Sequence, residues 1–328
     1  MLSPEKIKVI CDEYGVGDFI SIGKIAEGVL NENYFLQTAT GKYFIKSVRG
    51  KLKNKLEMIF WIESFMKSQE IPAIVMQKTR SGTISLELGE ETITLYPFIE
   101  NDMDHMYSEK DFYTMGKILG KIHKISEQKI LSPMPIKEHN KPSSQTISER
   151  LQVYRDEITK KAVQNDADKE FLHYIDFKMS MRAEVKDIVL TNNTLIHGDY
   201  HHGNILIDKE TREIIGICDW EKTEYAPRSY ELARSILYNC FGIESEISKS
   251  LDNGRSFMEG YRSIISITPE EIMSGFDMRI SRMILSSWIE EKYYRQNDIR
   301  ANHFIESEIR TIDSYTNGNL RKEIEGIL

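Results

Sequence analysis

Cysteine is scarce in this chain of 328 residues, and long apolar runs are missing altogether. The three cysteines, Cys11, Cys218 and Cys240, are widely spaced and odd in number, which argues against a disulfide framework and for a reducing compartment. The first residues contain no apolar core of a secretory signal, and no apolar run approaches the length that spans a bilayer. We therefore expect a soluble cytoplasmic protein with no membrane partner.

Basic residues are also fewer than acidic ones. Asp and Glu number 51 against 43 Lys and Arg, which leaves a formal net charge of −8 at pH 7. A general nucleic-acid binder needs a basic surface to neutralise phosphates, so we expect no nucleic-acid partner. A small cationic substrate suits the acidic balance, and the acidic segment of residues 100–104 and the acids Glu290 and Glu291 are candidate contacts for it. The sequence gives no indication of the oligomeric state.

The first hundred residues follow a pattern typical of an antiparallel sheet. A short helix is predicted over residues 4–14, with Ser3 as its cap and Pro4 at its first position. Alternating or β-rich runs predict strands over residues 19–25, 33–40, 42–48, 74–78, 83–88 and 92–96. Apolar residues at helical spacing predict one further helix over residues 52–68. The order β-β-β-α-β-β-β describes a sheet with one helix against it.

From residue 108 the pattern becomes helical. Helices are predicted over residues 108–124, 147–161, 166–190, 230–238, 244–264, 269–296 and 302–316, with a proline-containing loop over residues 126–146. A chain of this length exceeds one average domain. We therefore expect an α+β fold of two lobes: an N-terminal antiparallel sheet lobe over residues 1–100 and a larger, mainly helical C-terminal lobe over residues 101–328.

One polar hairpin interrupts the helical part. The stretch from His197 to Asn204 contains Asp199, and Asp219 follows after two short apolar runs and a turn. A hairpin of that length places Asn204 beside Asp219, so that two oxygen ligands lie next to a free carboxylate. Phosphoryl transfer from a magnesium nucleotide requires such a set. Zinc is not expected, because no Cys-x-x-Cys or His-Glu-x-x-His motif is present.

The predicted sheet contributes a candidate nucleotide site. Lys46 lies on the third strand, where a nucleotide kinase needs a fixed cation for the α- and β-phosphates. An acid on the following helix would hold this lysine; Glu57 and Glu63 are both candidates, and Glu57 is preferred because it lies in the first half of the helix. The loop of residues 27–33 contains Gly28, which allows the backbone to approach a ligand closely.

The sheet ends at residues 95–99, where Pro97 cannot donate to a ladder. A segment that crosses between lobes at this point offers backbone groups to the edge of an adenine and apolar walls to its face. Tyr96 and Phe98 are therefore candidate contacts for the nucleotide base.

Together these residues resemble the aminoglycoside phosphotransferase and choline/homoserine kinase-like family of small-molecule kinases, which are relatives of the protein kinases. The resemblance rests on His197-Gly198-Asp199, Asn204, Asp219 and Lys46, and on residues 26–34, which look like the family's nucleotide loop. It covers essentially the whole chain, and it implies a two-lobed protein-kinase-like fold.

The resemblance also implies roles for the residues. Asp199 would accept or position the proton of the substrate hydroxyl, and Asn204 and Asp219 would hold Mg²⁺ on the phosphates of ATP or GTP. Lys46 would bind those phosphates, assisted by the loop that contains Gly28 and Asn33, and His197 would be a buried residue that orients the catalytic loop.

Two positions depart from protein kinases. His201 stands where serine/threonine protein kinases have a lysine, which disfavours a protein substrate. Trp220-Glu221 replaces the Phe-Gly that follows their magnesium-binding aspartate, so we expect no flipping activation switch. We expect a kinase for a small, amine-bearing alcohol, with an aminoglycoside, choline or another amino alcohol, homoserine and a sugar all open. The alternatives are a catalytically idle kinase-like binding or structural protein, and a metal-dependent phosphate-ester hydrolase, which leaves Lys46 unexplained.

Overall fold

The computed structural model describes residues 2–25, 32–48, 50–101, 106–127, 144–186, 188–241, 247–296 and 301–328. Its strands are β1 (Phe19–Ile25), β2 (Glu32–Thr38), β3 (Gly41–Val48), β4 (Leu86–Leu88), β5 (Glu91–Pro97), β6 (Asn193–Ile196), β7 (Ile205–Ile207), β8 (Ile214–Ile217) and β9 (Glu224–Pro227). Its helices are α1 (Pro4–Tyr14), α2 (Leu56–Ser68), α3 (Glu109–Glu127), α4 (Ser144–Thr159), α5 (Asp166–Ser180), α6 (Arg228–Ile236), α7 (Ile247–Arg262), α8 (Pro269–Ile284), α9 (Trp288–Gln296), α10 (Phe304–Thr316) and α11 (Leu320–Ile327). The predicted α+β class is confirmed.

A five-stranded sheet in the order β1-β2-β3-β5-β4 forms the N-terminal region. Adjacent pairs run antiparallel, and Asn33 and Thr94 lie opposite Lys46 in the register of the three central strands. Because side chains alternate along a strand, the residues of β2, β3 and β5 divide between two faces of the sheet. One face is buried against α1 through Tyr34, Leu36, Ile45, Ile93, Leu95, Ile7, Ile10, Cys11 and Tyr14. The other face carries Lys46.

Helix α1 occupies the predicted residues, with the Ser3 side chain accepting a hydrogen bond from the backbone N–H of Lys6. The strand predicted over residues 74–78 was wrong. This segment lies between two sheets and gives only single hydrogen bonds to each: Ile74 donates to Ile217 of β8, and Gln77 donates to Leu95 of β5. Isolated bonds of this kind do not build a ladder, although they fix the position of the hairpin β7–β8 beside the larger sheet.

The remaining helices pack mainly against each other. Helices α6 and α8 approach closely enough that a Cβ added to Gly275 would lie 2.2 Å from the backbone oxygen of Ser229. The single helix predicted over residues 269–296 is two helices, α8 and α9, and the C-terminal α11 was not predicted. A second apolar core joins α4, α5, α9 and α10, and it includes Leu151, Ile158, Phe171, Ile175, Ile289 and Ile305.

Contacts between Cα positions group the chain into two units. One unit comprises Met1–Tyr107, Lys121–Pro135 and His197–Glu224, and the other comprises Ser108–Gly120, Ile136–Ile196 and Tyr225–Leu328. The hairpin that contains Asp199 and Asp219 therefore belongs to the same unit as the five-stranded sheet, and the division at residue 100 stays a prediction. Cys11, Cys218 and Cys240 are free thiols. Among the described helices, none has the length and apolar character needed to cross a membrane.

Candidate active site

The β7–β8 hairpin brings the two expected magnesium ligands to one end. Ile205 pairs with Ile217 in the register, and the Cys218 N–H donates to the backbone oxygen of Asn204 at 3.0 Å. Asp219 follows directly, in a left-handed backbone conformation with φ of 65°. An aspartate tolerates this conformation better than most residues do, and it leaves the side chain about one-third exposed.

His197 fixes the loop that leads into the hairpin. Its ring is fully buried, its Nε2 lies 3.0 Å from the backbone oxygen of Cys218, and its Nδ1 accepts a hydrogen bond of 3.2 Å from the Asp199 N–H. This pattern requires the neutral ring with its proton on Nε2. The ring also packs against Trp220, with the two ring centroids 4.5 Å apart. Its position fits the orienting role that the resemblance implies.

Gly198 is required by its backbone conformation and by its surroundings. Its φ of +83° is one that side-chain-bearing residues rarely adopt, and a Cβ at this position would lie 2.3 Å from the backbone oxygen of Lys222. The catalytic loop and the turn after Asp219 are therefore in direct backbone contact, which sets the position of Asp199.

Asp199 is only 8% exposed, and its carboxylate has a cationic neighbour. Lys222 Nζ lies 2.7 Å from Asp199 Oδ2, and His201 Nε2 lies 3.7 Å from Oδ1. The Asn204 side-chain amide donates to the backbone oxygen of Asp199 at 2.9 Å. Sequence reasoning missed Lys222. Its contact with Asp199 depends on the 3₁₀ turn at Trp220–Lys222, and no motif in the sequence predicts that turn.

Lys46 reaches from β3 to the hairpin. Its Nζ lies 3.1 Å from Asp219 Oδ1 and forms a second ion pair with Glu221, and its side chain is only 14% exposed. Burial by itself favours the neutral amine, but the two carboxylates outweigh burial and raise the pKa of Lys46. Glu221 was noted in the sequence only as a departure from protein kinases; in the structure it is a direct partner of the lysine.

The acid expected on α2 does not reach Lys46. Glu57 is exposed, so the structure does not support the preference for it. Glu63 is buried, and its carboxyl group accepts hydrogen bonds from the Tyr96 hydroxyl at 3.1 Å and from the Met76 N–H at 3.0 Å. Burial raises the pKa of Glu63 to about 8. Its place on the buried face of α2, four residues after Ile59, was a signal that the sequence did contain.

Aromatic side chains cover the sheet beside Lys46. Phe44 lies opposite Tyr96 in the register, with ring centroids 6.4 Å apart, and Phe35 meets Phe98 edge to face at 4.9 Å. All four rings are partly exposed, so the sheet offers an apolar surface next to a cation. Asn33 lies on the strand position opposite Lys46. Gly28 lies outside the described residues.

The charges at the site favour a divalent cation. The three carboxylates of Asp199, Asp219 and Glu221 pair with the two ammonium groups of Lys46 and Lys222. The Asn204 side-chain nitrogen donates to the backbone oxygen of Asp199, while its Oδ1 lies 3.9 Å from the Cys218 sulfur. In the described part of the chain no group of three or more His, Cys, Asp or Glu side chains is arranged around a metal position. The oxygens of Asn204 and Asp219 are of the kind that Mg²⁺ prefers, and Mg²⁺ commonly takes one or two protein ligands when phosphates supply others.

Glu290 and Glu291, which were suggested as contacts for a cationic substrate, belong to the other unit, and their surroundings differ. Glu290 is fully buried and pairs with the equally buried Lys178 at 3.2 Å, so it is a structural residue and that suggestion was wrong for it. Glu291 accepts a hydrogen bond from Tyr154 and lines a cavity of about 530 Å³ together with Trp288 and Arg295. Residues 102–104 of the acidic segment lie outside the described residues.

Comparisons with known proteins identify the family. The model of the phosphotransferase enzyme family matches residues 21–264. Homoserine kinase of Bartonella tribocorum is 22% identical over 83% of this chain and 80% of its own length, and homoserine kinase of Chelativorans sp. is 23% identical with the same coverage.

Solved structures agree on the fold. Spectinomycin phosphotransferase in complex with ADP and spectinomycin has a TM-score of 0.67 at 19% identity, covering 100% of this chain and 99% of that one. Choline kinase from Cryptosporidium parvum has a TM-score of 0.59 at 12% identity, covering 98% of each chain. The expected kinase-like fold is confirmed.

A kinase-like fold with this site defines a phosphotransferase for small molecules, with an alcohol group as acceptor. The chain belongs to the phosphotransferase enzyme family.

Proposed function

We propose that this protein transfers the γ-phosphate of ATP or GTP to a hydroxyl group of a small, amine-bearing molecule in the cytoplasm. The observation that carries the proposal is that Lys46, Asp199, Asn204 and Asp219 belong to one unit, with Lys46 in direct contact with Asp219. A phosphoryl-transfer enzyme needs a carboxylate for the acceptor, oxygen ligands for a metal and a cation for the phosphates, all in fixed positions.

Each side chain has a role that its contacts support. Asp199 receives or positions the proton of the acceptor hydroxyl, while Lys222 and the neutral His197 hold the carboxylate and its backbone in place. Lys46 binds the α- and β-phosphates, and Glu221 keeps its ammonium at the site. Positioning and charge neutralisation supply most of the catalysis in such transfers.

The nucleotide is proposed to bind along the exposed face of the sheet. Tyr96 and Phe98 supply an apolar wall for the base, and Asn33, with the loop that contains Gly28, approaches the phosphates. Mg²⁺, held by Asn204 and Asp219, would neutralise phosphate oxygens. Nucleotide-bound structures of relatives support a nucleoside triphosphate donor, since spectinomycin phosphotransferase was solved with ADP and with AMP.

The acceptor is proposed to be an amino alcohol in the broad sense. The molecules for which these proteins are named, homoserine, choline and spectinomycin, all carry a hydroxyl group together with an amine or a quaternary ammonium group.

The test is a nucleotide-consumption screen with ATP and GTP in parallel. The acceptor panel contains spectinomycin, choline, L-homoserine and a neutral hexose. We expect magnesium-dependent turnover with at least one amine-bearing acceptor and none with the hexose. Turnover with the hexose alone would overturn the acceptor class. Calorimetry that finds no magnesium-dependent binding of either nucleotide would favour a catalytically idle protein instead.

A further inference from the structure

A second cluster of charged side chains lies between α6 and α8, in the unit that does not contain Asp199. We define the arginine–tyrosine group as Arg234, Arg279, Arg282, Tyr230 and Tyr238. The guanidinium carbon of Arg282 lies 4.4 Å from the ring centroid of Tyr230, and those of Arg234 and Arg279 lie 4.9 and 5.5 Å from the ring centroid of Tyr238. Three guanidinium groups thus share two tyrosines.

Two other cations beside these helices have a carboxylate partner, and the contrast is informative. Arg228, at the start of α6, forms a two-pronged ion pair with Glu271 of α8, with distances of 2.8 and 3.0 Å. Lys186 pairs with Asp277 of α8 at 2.8 Å. Glu271 and Asp277 of α8 thus neutralise Arg228 and Lys186.

Arg279 and Arg282 have partners of a different kind. In the described part of the chain, neither forms an ion pair with a carboxylate; Arg279 Nη2 donates to the Tyr238 hydroxyl at 3.0 Å, and Arg279 Nε is buried with no hydrogen-bond partner. The oxygens of Glu308 accept hydrogen bonds from Tyr174 and Trp288 instead. Both arginines also hydrogen-bond the Tyr230 side chain, but the buried Arg279 Nε lacks a partner, and a buried donor without an acceptor costs free energy.

The electrostatic environment also points to an anion. Burial by itself raises the pKa of the Tyr230 hydroxyl, but Arg279 and Arg282 outweigh burial, and the pKa is lowered. A positive potential strong enough to do this persists in a protein with a net charge of −8. The potential at the arginine–tyrosine group is therefore local and suited to a negatively charged ligand.

The local backbone is unusual as well. Tyr238 lies in a π-helical turn, Leu237–Phe241, which directly follows α6. Such turns occur frequently at functional sites, because they move a side chain out of the helical register. All five residues are partly exposed.

We propose that the arginine–tyrosine group binds the carboxylate group of a small organic acid. The guanidinium carbon of Arg282 lies 4.4 Å from the Tyr230 ring centroid, and Arg282 hydrogen-bonds the Tyr230 side chain. A planar carboxylate accepts two parallel hydrogen bonds from a guanidinium group. The tyrosine rings supply apolar walls for the carbon skeleton. This binding does not depend on the proposed kinase activity, since it is measured without nucleotide.

The experiment compares ligand-induced thermal stabilisation of the wild type and Arg282→Gln, with Arg310→Gln as a control for loss of an exposed arginine in the same unit. The probes are L-homoserine and its decarboxylated counterpart 3-aminopropan-1-ol, together with L-malate and inorganic phosphate. We expect L-homoserine or L-malate at 10 mM to raise the melting temperature of the wild type and of Arg310→Gln by about 2 °C or more. Arg282→Gln should bind the same acid about tenfold or more weakly than the wild type does.

A second variant guards against misfolding. Tyr230→Phe keeps the ring under Arg282 but removes the hydroxyl, and we expect it to fold and to bind the same acid about threefold to tenfold more weakly. The proposal is overturned if both acids raise the melting temperature of the wild type and of Arg282→Gln equally, or raise neither. It is also overturned if phosphate is the only probe that raises the melting temperature of the wild type.

Discussion

The ammonium of Lys46 lies 3.1 Å from the carboxylate of Asp219, so a strand of the large sheet and the end of the β7–β8 hairpin meet in one ion pair. Glu221 is the second partner of the same ammonium. This arrangement differs from the expected one, in which an acid on α2 would hold the lysine. The hairpin therefore carries both proposed metal ligands and the two acidic partners of the lysine that is proposed to bind phosphate.

Replacing Glu221 by glutamine tests this arrangement. The variant keeps the shape of the side chain but removes one of the two charges that hold Lys46, so we expect the KM for ATP to rise by about threefold to tenfold. Lys46→Met should raise it further. Steady-state kinetics at saturating acceptor provide the measurement, and Glu57→Gln is the matched control because Glu57 is exposed. An unchanged KM in Glu221→Gln would contradict this role.

Asp219→Asn separates the charge of the metal ligand from its backbone conformation. Asparagine tolerates the left-handed conformation of this residue, so the fold should be retained. We expect magnesium-dependent binding of ATP, measured by calorimetry, to weaken by about tenfold or more. Asp208→Asn, at the turn of the same hairpin, should bind as the wild type does. Equal magnesium dependence in Asp219→Asn and the wild type would rule out a metal at this position.

Gly198→Ala should be strongly destabilising. The added Cβ meets the backbone of Lys222 at 2.3 Å, and the positive φ adds strain. Gly82→Ala is the matched control, since Gly82 has a φ of +87° but open space around its Cβ position. We expect Gly82→Ala to lose about 1–2 kcal/mol of unfolding free energy and Gly198→Ala to lose clearly more. Chemical denaturation gives both values, and similar losses would show that the close contact is unimportant.

Glu63 makes stability depend on pH. Its pKa is raised from an ordinary value near 4.5 to about 8, so the folded protein retains a proton that the unfolded chain has lost over this interval. Glu63 therefore lowers the unfolding free energy progressively as the pH rises from about 5 to 8. Glu63→Gln should remove that dependence and gain on the order of a few kcal/mol relative to the wild type at pH 8. Parallel curves for the two proteins across this interval would refute the shift.

Much of the fold was predictable because the relevant signals are local. Alternating side chains marked β2 and β3, and the Ser3–Pro4 pair marked the start of α1. The segment of residues 74–78 was misread as a strand because its apolar side chains pack in the same way, although its backbone bonds only singly to two different partners.

The site was predictable where it depends on spacing and not where it depends on tertiary contacts. The distance from Asn204 to Asp219 along the chain implied their meeting across a hairpin. The contact of Lys222 with Asp199 depends on a 3₁₀ turn, and the pairing of Lys46 with Glu221 depends on how the sheet packs against the hairpin. Neither leaves a periodic signal in the sequence.

The most direct test of the central claim is a comparison of Asp199→Asn with the wild type in two assays, phosphate transfer to the acceptor and calorimetric binding of the magnesium nucleotide. Asparagine keeps the backbone bonds to His197 and Asn204 but cannot receive the proton of the hydroxyl. We expect turnover to fall by about 10²–10⁴-fold, while nucleotide affinity stays within about threefold of the wild type. Full turnover in Asp199→Asn would contradict the account.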